Sequence, residues 1–515
     1  MLEEPLTRAY GERVPPIPPS RRPLSRRLVL VGGLTSVAAA SACTSEGADD
    51  QPVAKGATKA SHGRQLTLGE GPVVAAGDPA ASAIAASAAL FARSPGAVVA
   101  AAEGDVAAAA QAARASGVPC LLDSPETAAE LERLGVEKVR LFPAAAGTTW
   151  SEGLLDGREE ADSLPDTDDE PVPVVVTTAD PQTHAAAVAT VLAAHSAAED
   201  TPVLAADDPR ADEVVEAVRA DGAGRLAVVG SFDALPDDAL EAAAGMASAA
   251  DELPGGGVLA FPGRRMIALY GHPGTGDLGL LGEQDAQASV ERAQELAEEY
   301  QEFSKERVVP AFEIIATVAD SQPGADGDYS SESSIEHLRP WVEAAGEGGV
   351  YVVLDLQPGR TDFLTQAKLY EELLLLPHVG LALDPEWRLE PGQLHMRQIG
   401  KVEAAEVNEV SEWLAALVRD HGLPQKVLTL HQFQLQMLRD RDQIRTDHPE
   451  LAVLVHADGH GTPDLKQGTW TALKTDLPEG MWLGWKNFID EDTPTFTPEE
   501  TMRDVDPAPW FVSYQ

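Results

Sequence analysis

Seven stretches in the C-terminal half of this 515-residue chain end in a side chain that can ionise, each on the same parity as small or apolar residues before it. In Val379-Gly-Leu-Ala-Leu-Asp-Pro-Glu386, Gly380 and Ala382 share a face with Asp384, and Glu386 follows on that parity. Alternate residues of a strand point to opposite sides. The same alternation puts Glu313 behind Val309 and Ala311, Asp355 behind Tyr351 and Val353, and His431 behind Thr429. Tyr270 and His272, His456 and Asp458, and Lys486 behind Gly484 complete the set. Several carboxylates around one mouth suit glycoside cleavage, where one carboxylic acid protonates the leaving oxygen and a second carboxylate attacks the sugar or activates water. Glu313, Asp355, Asp384 and Glu386 are the candidate catalytic carboxylates, with acid and base unassigned. Tyr270, His272, Trp387, His431, His456, Asp458, Trp485 and Lys486 are candidate substrate contacts, the aromatic faces being suited to sugar rings.

A metal-dependent hydrolase is a second enzyme reading, prompted by His456-Ala-Asp-Gly-His460 together with His272 and His431. Amidohydrolase-like barrels open with a His-x-His pair, and Tyr270-Gly-His272 supplies one histidine only. The histidines are therefore read as hydrogen-bonding to substrate or carboxylates, with no metal and no cofactor expected. No Gly-x-Gly-x-x-Gly follows the first strand, so no dinucleotide site is expected either.

Positioning such side chains needs strands ending at one rim. Apolar runs at 265–270, 308–315, 350–356, 379–383, 426–431, 451–456, 481–486 and 510–514 read as strands, with helical stretches such as 285–305, 361–376 and 404–419 between them. Ser333-x-x-Glu336 reads as a capping box ahead of another helix. Eight strands over residues 264–515 match a (β/α)8 barrel, whose chemistry sits at the C-terminal ends of its strands. The Gly-, Asp- and Ser-rich segment 320–334 reads as a long loop, either a lid or a solvated connection.

Upstream, residues 71–250 alternate short β-branched runs with Ala-rich helical stretches, as degenerate Rossmann-like α/β repeats in two successive rounds. Strands are expected at 73–76, 97–101 and 119–122, then at 172–177, 202–206 and 226–229, with the acidic linker 164–171 between the rounds. Cys120, within Val118-Pro-Cys-Leu-Leu122, reads as a small buried core residue.

The start of the chain carries an address. Arg21, Arg22, Arg26 and Arg27 precede a weakly apolar run, 28–42, too short to span a bilayer, and small residues then lead into Cys43. Residues 1–42 thus read as a signal peptide and 43–70 as a flexible tether. The Ala40-Ser-Ala-Cys43 ending resembles the lipobox of bacterial lipoproteins, which implies a diacylglyceryl group on Cys43 and a protein anchored on the outer membrane face. Ser25-Arg-Arg-Leu-Val-Leu30 also resembles a twin-arginine signal, with the general secretion route left open. A net charge of −45 lacks the basic footprint that phosphate binding needs, so nucleic acid is not an expected partner.

Two further resemblances follow from motifs. Gly77-Asp78, Ala-Val-Val-Ala-Ala, Gly-Val-Pro-Cys-Leu-Leu and Leu134-Gly-Val-Glu-Lys-Val-Arg140 resemble the cell-wall-binding repeats of Gram-positive surface proteins, which implies a wall polymer as partner. Gly271-His-Pro-Gly-Thr-Gly, Phe312-Glu-Ile-Ile-Ala-Thr, Leu354-Asp-Leu-Gln-Pro-Gly-Arg360 and Leu383-Asp-Pro-Glu-Trp-Arg388 resemble uncharacterised glycoside-hydrolase-like barrels of actinobacterial wall-associated lipoproteins. Together they imply a cell-surface lipoprotein that binds, and in the catalytic reading hydrolyses, a cell-wall or capsular glycan such as peptidoglycan. The rival expectation is a non-catalytic wall-binding or scaffolding lipoprotein.

Overall fold

The computed structural model describes residues 60–61, 63–101, 105–143, 147–198, 201–220 and 222–515. The leader 1–42, Cys43 and the tether as far as residue 59 lie outside the described residues.

Eight strands form the C-terminal half: β1 (Arg264–Gly271), β2 (Arg307–Ala319), β3 (Tyr351–Leu356), β4 (Val379–Leu383), β5 (Lys426–Gln432), β6 (Leu451–Ala457), β7 (Trp482–Asn487) and β8 (Phe511–Tyr514). Each pairs in parallel with the next, and β8 pairs in parallel with β1, so the sheet closes on itself. The chain is therefore a mixed α/β protein with a (β/α)8-type barrel.

Parity along the strands divides the barrel wall. Val379, Leu381 and Leu383 face the helices and join the large apolar core there, while Ala382 joins Met266, Ala268, Ala311, Val353 and Leu454 in the lumen. Close packing in the lumen requires small residues opposite large ones. A Cβ on Gly380 would lie 2.7 Å from both the Tyr351 hydroxyl oxygen and the Val427 carbonyl oxygen, so glycine makes room for the tyrosine. The base of the barrel is closed by the segment before β1: Leu253, Ala260 and Phe261 belong to the lumen core, and Phe261 packs against Trp482 and Trp510 at ring distances of 5.5 and 6.0 Å.

Three local features differ from the sequence reading. Strand β2 runs on to Ala319 and pairs there with an antiparallel strand, Ser330–Glu332, so Glu313 sits in mid-strand and part of segment 320–334 is sheet. A register shift between Ile315 and Thr317 lets β2 outrun β3. The helix Ile335–Glu347 is capped by Ser334, whose hydroxyl accepts from His337 N, one residue beyond the expected capping box. The stretch 361–376 is broken at Tyr370 into helices Phe363–Leu369 and Glu371–Leu374. There the Tyr370 hydroxyl bonds Ala316 O and Ser333 O, tying the break to β2.

The α/β region holds two parallel four-stranded sheets. One orders Val203–Ala205, Val174–Thr178, Arg225–Val229 and Val73–Ala75; the other orders Cys120–Leu122, Gly96–Ala100, Lys138–Phe142 and Glu159–Glu160. Strand 73–75 thus completes the sheet of the later strands, so the two rounds interleave instead of following one another. Val175, Leu226 and Val228 share the same buried core as the barrel helices, and Asp212 pairs with Arg307 at the start of β2. The described residues pack as one compact unit.

Candidate active site

Because the strands are parallel, their C-terminal ends share one rim, and the lumen-facing parity delivers a dense charged cluster there. At its centre His431 of β5 is fully buried, with Nδ1 2.7 Å from Asp458 Oδ2 and Nε2 2.9 Å from Glu313 Oε1. A ring facing carboxylates at both nitrogens is an imidazolium donating twice. Burial alone would favour the neutral ring, but Glu313, Asp355 and Asp458 outweigh it and raise His431 well above the usual histidine range. Burial likewise opposes the charge on Glu313, yet His456 and His431 hold it well below the usual carboxylate range. His456, the register partner of His431 on β6, is lowered by burial in spite of Glu313, and its Nε2 lies 3.2 Å from Ser513 Oγ of β8.

A second layer lies closer to solvent. Lys486 Nζ of β7 sits 3.3 Å from Asp458 Oδ1 and 3.4 Å from the centre of the Tyr270 ring, an ion pair combined with a cation–π contact. Burial works against the charges of both partners, but Lys486 and His431 bring Asp458 down to about 2, and Asp458 together with Glu313 raises Lys486. The Tyr270 hydroxyl donates to Asp355 Oδ2 at 2.9 Å and is itself raised by burial and by Asp355. Burial, eased by His431 and reinforced by Glu313, leaves Asp355 at about 6.

Asp384 and Glu386 stand on a short 3-10 turn, Pro385–Trp387, immediately after β4, where Asp384 Oδ1 accepts from Glu386 N. Burial and then the charge of Glu386 raise Asp384 well above its usual range. Burial and Asp458, partly countered by Lys486, raise Glu386 to about 7. Among the described residues neither carboxyl is paired with arginine: Arg388, the nearest in sequence, forks onto Glu406 at 3.0 Å instead. Asp384, His431 and Asp458 bring one polar atom each within 4.8 Å of one another, and Glu313, His431 and His456 do the same. Both sets could hold a metal ion, as could Asp326 and Asp328 of the loop with Glu332 of the short strand after it.

Among the sequence-predicted residues, Glu313, Asp355, Asp384, Glu386, Tyr270, His431, His456, Asp458 and Lys486 are brought together at this mouth. Trp387 is half-buried at its edge, its ring 5.4 Å from that of His395. His272 stands apart, with Nε2 3.0 Å from Ser333 Oγ and its ring stacked on His337. Trp485 turns the other way. It lies between Gly484 and Lys486, so strand alternation points it into the helical shell, where it packs on Trp470 and Phe496 as core, not as a sugar platform. Sequence reasoning missed Ser513 and Gln357. Ser513 shares parity with Phe511 on β8, the one strand with no ionisable side chain on its lumen-facing parity, and Gln357 Nε2 reaches the Tyr270 hydroxyl at 3.5 Å.

No family model matches the sequence, and no curated protein matches it. Among solved structures the chain is similar to a xylanase and α-amylase inhibitor protein crystallised with trehalose, at 14% identity and a TM-score of 0.30 over 48% of this chain and 92% of that one. It is also similar to a second such inhibitor, from Scadoxus multiflorus, at 13% identity and a TM-score of 0.29 over the same shares. By its own strand pairing this is a closed parallel (β/α)8-type barrel with a carboxylate-rich C-terminal mouth.

Proposed function

We propose that the barrel binds and hydrolyses a glycan of the cell wall or capsule, with Asp384 and Glu386 carrying the chemistry. One observation carries this reading: Asp384 and Glu386 lie side by side at the turn after β4, with Asp384 Oδ1 accepting from Glu386 N, and neither has an arginine partner among the described residues. Paired carboxyl groups about 5–5.5 Å apart belong to retaining glycosidases, and the wider pairs of inverting enzymes leave room for a water. Which course Asp384 and Glu386 follow is read from the anomeric configuration of the released product. Tyr270, Lys486 and Asp458 then contact the sugar, with Trp387 at the edge of the mouth.

The test is product release from purified wall and capsular glycans by the full chain carrying Cys43→Ala, against the same chain with Asp384→Asn or Glu386→Gln. Loss of release by both variants supports the reading; equal release by all three removes these residues from the mechanism. Glycan retained without turnover would favour the non-catalytic wall-binding lipoprotein instead. The lipid anchor on Cys43 belongs to the same proposal and rests on the lipobox-like leader. Cys43→Ala should release the protein from membranes and abolish lipid labelling, whereas retention with label would sink the anchor.

A further inference from the structure

We propose that Glu313, His431 and His456, with Asp355 as fourth donor, form a binding site for one divalent transition-metal ion of the zinc class in the layer beneath Asp384 and Glu386. This goes beyond the glycan reading and depends on none of it.

The donor spacing is the first argument. Ligand bonds of about 2.0–2.2 Å in a tetrahedron place neighbouring donor atoms roughly 3.4 Å apart. Here Glu313 Oε1 lies 2.9 Å from His431 Nε2 and 3.5 Å from His456 Nδ1, and His431 Nε2 lies 3.8 Å from Asp355 Oδ1. These separations bracket the required value without any strand having to move.

The second argument is the orphaned polar atoms. Glu313 Oε2, Asp355 Oδ1 and His456 Nδ1 are fully buried with no hydrogen-bond partner among the described residues, all within one small cluster. Leaving one such atom unsatisfied costs about 1–3 kcal/mol, more for a charged group. The proton on His431 answers Glu313 Oε1 alone, so it does not account for the other three.

Outer contacts supply the third. Metal-bound imidazoles give their other nitrogen to a carboxylate, carbonyl or hydroxyl, which fixes the ring. His431 turns Nδ1 to Asp458, His456 turns Nε2 to Ser513, and Asp355 turns Oδ2 to the Tyr270 hydroxyl. Three side chains thus have one end held by protein and the other aimed into a common space. Binding replaces the His431–Glu313 hydrogen bond and sends the Nε2 proton to solvent. Two imidazoles with two carboxylates suit zinc, cobalt, iron or manganese, and not the all-oxygen preference of calcium or magnesium.

The experiment strips the full chain, carrying Cys43→Ala, with a chelator, returns zinc(II) by equilibrium dialysis and counts bound metal. One zinc per chain is expected, with cobalt(II) giving the visible absorption of a low-symmetry nitrogen–oxygen site. Glu313→Gln and His456→Ala should each weaken binding at least tenfold. Ser513→Ala leaves all four ligands in place and should weaken it roughly 10–100-fold. Because Ser513→Ala changes one hydroxyl only, it keeps the test alive if His456→Ala does not fold. A paired Asp326→Asn, Glu332→Gln variant on the loop should bind as the parent does. A folded chain that retains no zinc, undiminished binding in Glu313→Gln and Ser513→Ala, or loss confined to the loop variant would each overturn the proposal.

Discussion

His431 Nε2 meets Glu313 Oε1 at 2.9 Å, joining β5 to β2 through a fully buried pair of opposite charges. Removing one partner of such a pair leaves an uncompensated charge, at a cost of about 3–5 kcal/mol. In metal-free buffer, His431→Ala should therefore lower the urea-unfolding free energy by about that much. Glu313→Gln in the His431→Ala background should restore a large part of the loss, because it removes the stranded charge. Additive losses in that double-mutant cycle would show that the pair is not coupled.

Glu386 supplies the pH dependence. Its carboxyl is raised to about 7 by burial and Asp458, with Asp355 adding and Lys486 and His431 opposing, while Asp384 stands next to it on the same turn. A carboxyl whose folded value exceeds its unfolded one binds more protons when folded. Its contribution to stability is thus present below the unfolded value of about 4.3 and is lost as the pH rises through 7. Glu386→Gln should accordingly be stabilising at pH 8, by about 1–3 kcal/mol, and nearly neutral at pH 4. If glycan is turned over, the wild-type rate should fall above about pH 7 as the acid form disappears. Chemical denaturation at the two pH values reads the first effect, and a pH–rate profile reads the second.

The barrel was legible because strand alternation is a strict geometric rule. Each of the eight apolar runs became a strand with bounds shifted by a few residues, and the face carrying Gly380 and Ala382 did turn inward with Asp384. The same rule, applied to Trp485, would have excluded it from the mouth, because it lies one residue from Lys486. Composition drew attention to an aromatic that parity assigns to the shell. Pairing between distant strands was not legible. Nothing local in Val73–Ala75 announces a partner at Arg225–Val229, more than a hundred residues away. Ser513 was missed for a related reason: a hydroxyl on a short final strand acquires meaning only when closure brings His456 beside it.

Cys120 tests the interleaved sheets. It starts the edge strand Cys120–Leu122, is fully buried, and burial pushes its thiol up to about 12. Thiolate is the reactive form, so a buried thiol this high is inert near neutral pH. With Cys43→Ala in place, iodoacetamide at pH 8 should leave the native chain unlabelled and label one thiol once the chain is unfolded in denaturant. Rapid labelling of native protein would mean that this sheet opens readily or is not formed.

Gly380 gives the sharpest packing test, because two unlike neighbours limit it. A methyl group there would stand 2.7 Å from the Tyr351 hydroxyl oxygen and 2.7 Å from the Val427 carbonyl oxygen. The first neighbour ends a rigid ring that also accepts a hydrogen bond from Val427 N at 3.1 Å, and the second is backbone of a paired strand. Neither can retreat without disturbing β5. Overpacking of this kind costs about 1–3 kcal/mol, so Gly380→Ala should lower the denaturation midpoint by that equivalent. Tyr351→Phe removes one of the two contacts. Combined with Gly380→Ala it should recover only part of the loss, because the Val427 carbonyl remains in place. Full recovery in the double variant would show that the tyrosine alone sets the size of residue 380, and that the lumen can yield along β5.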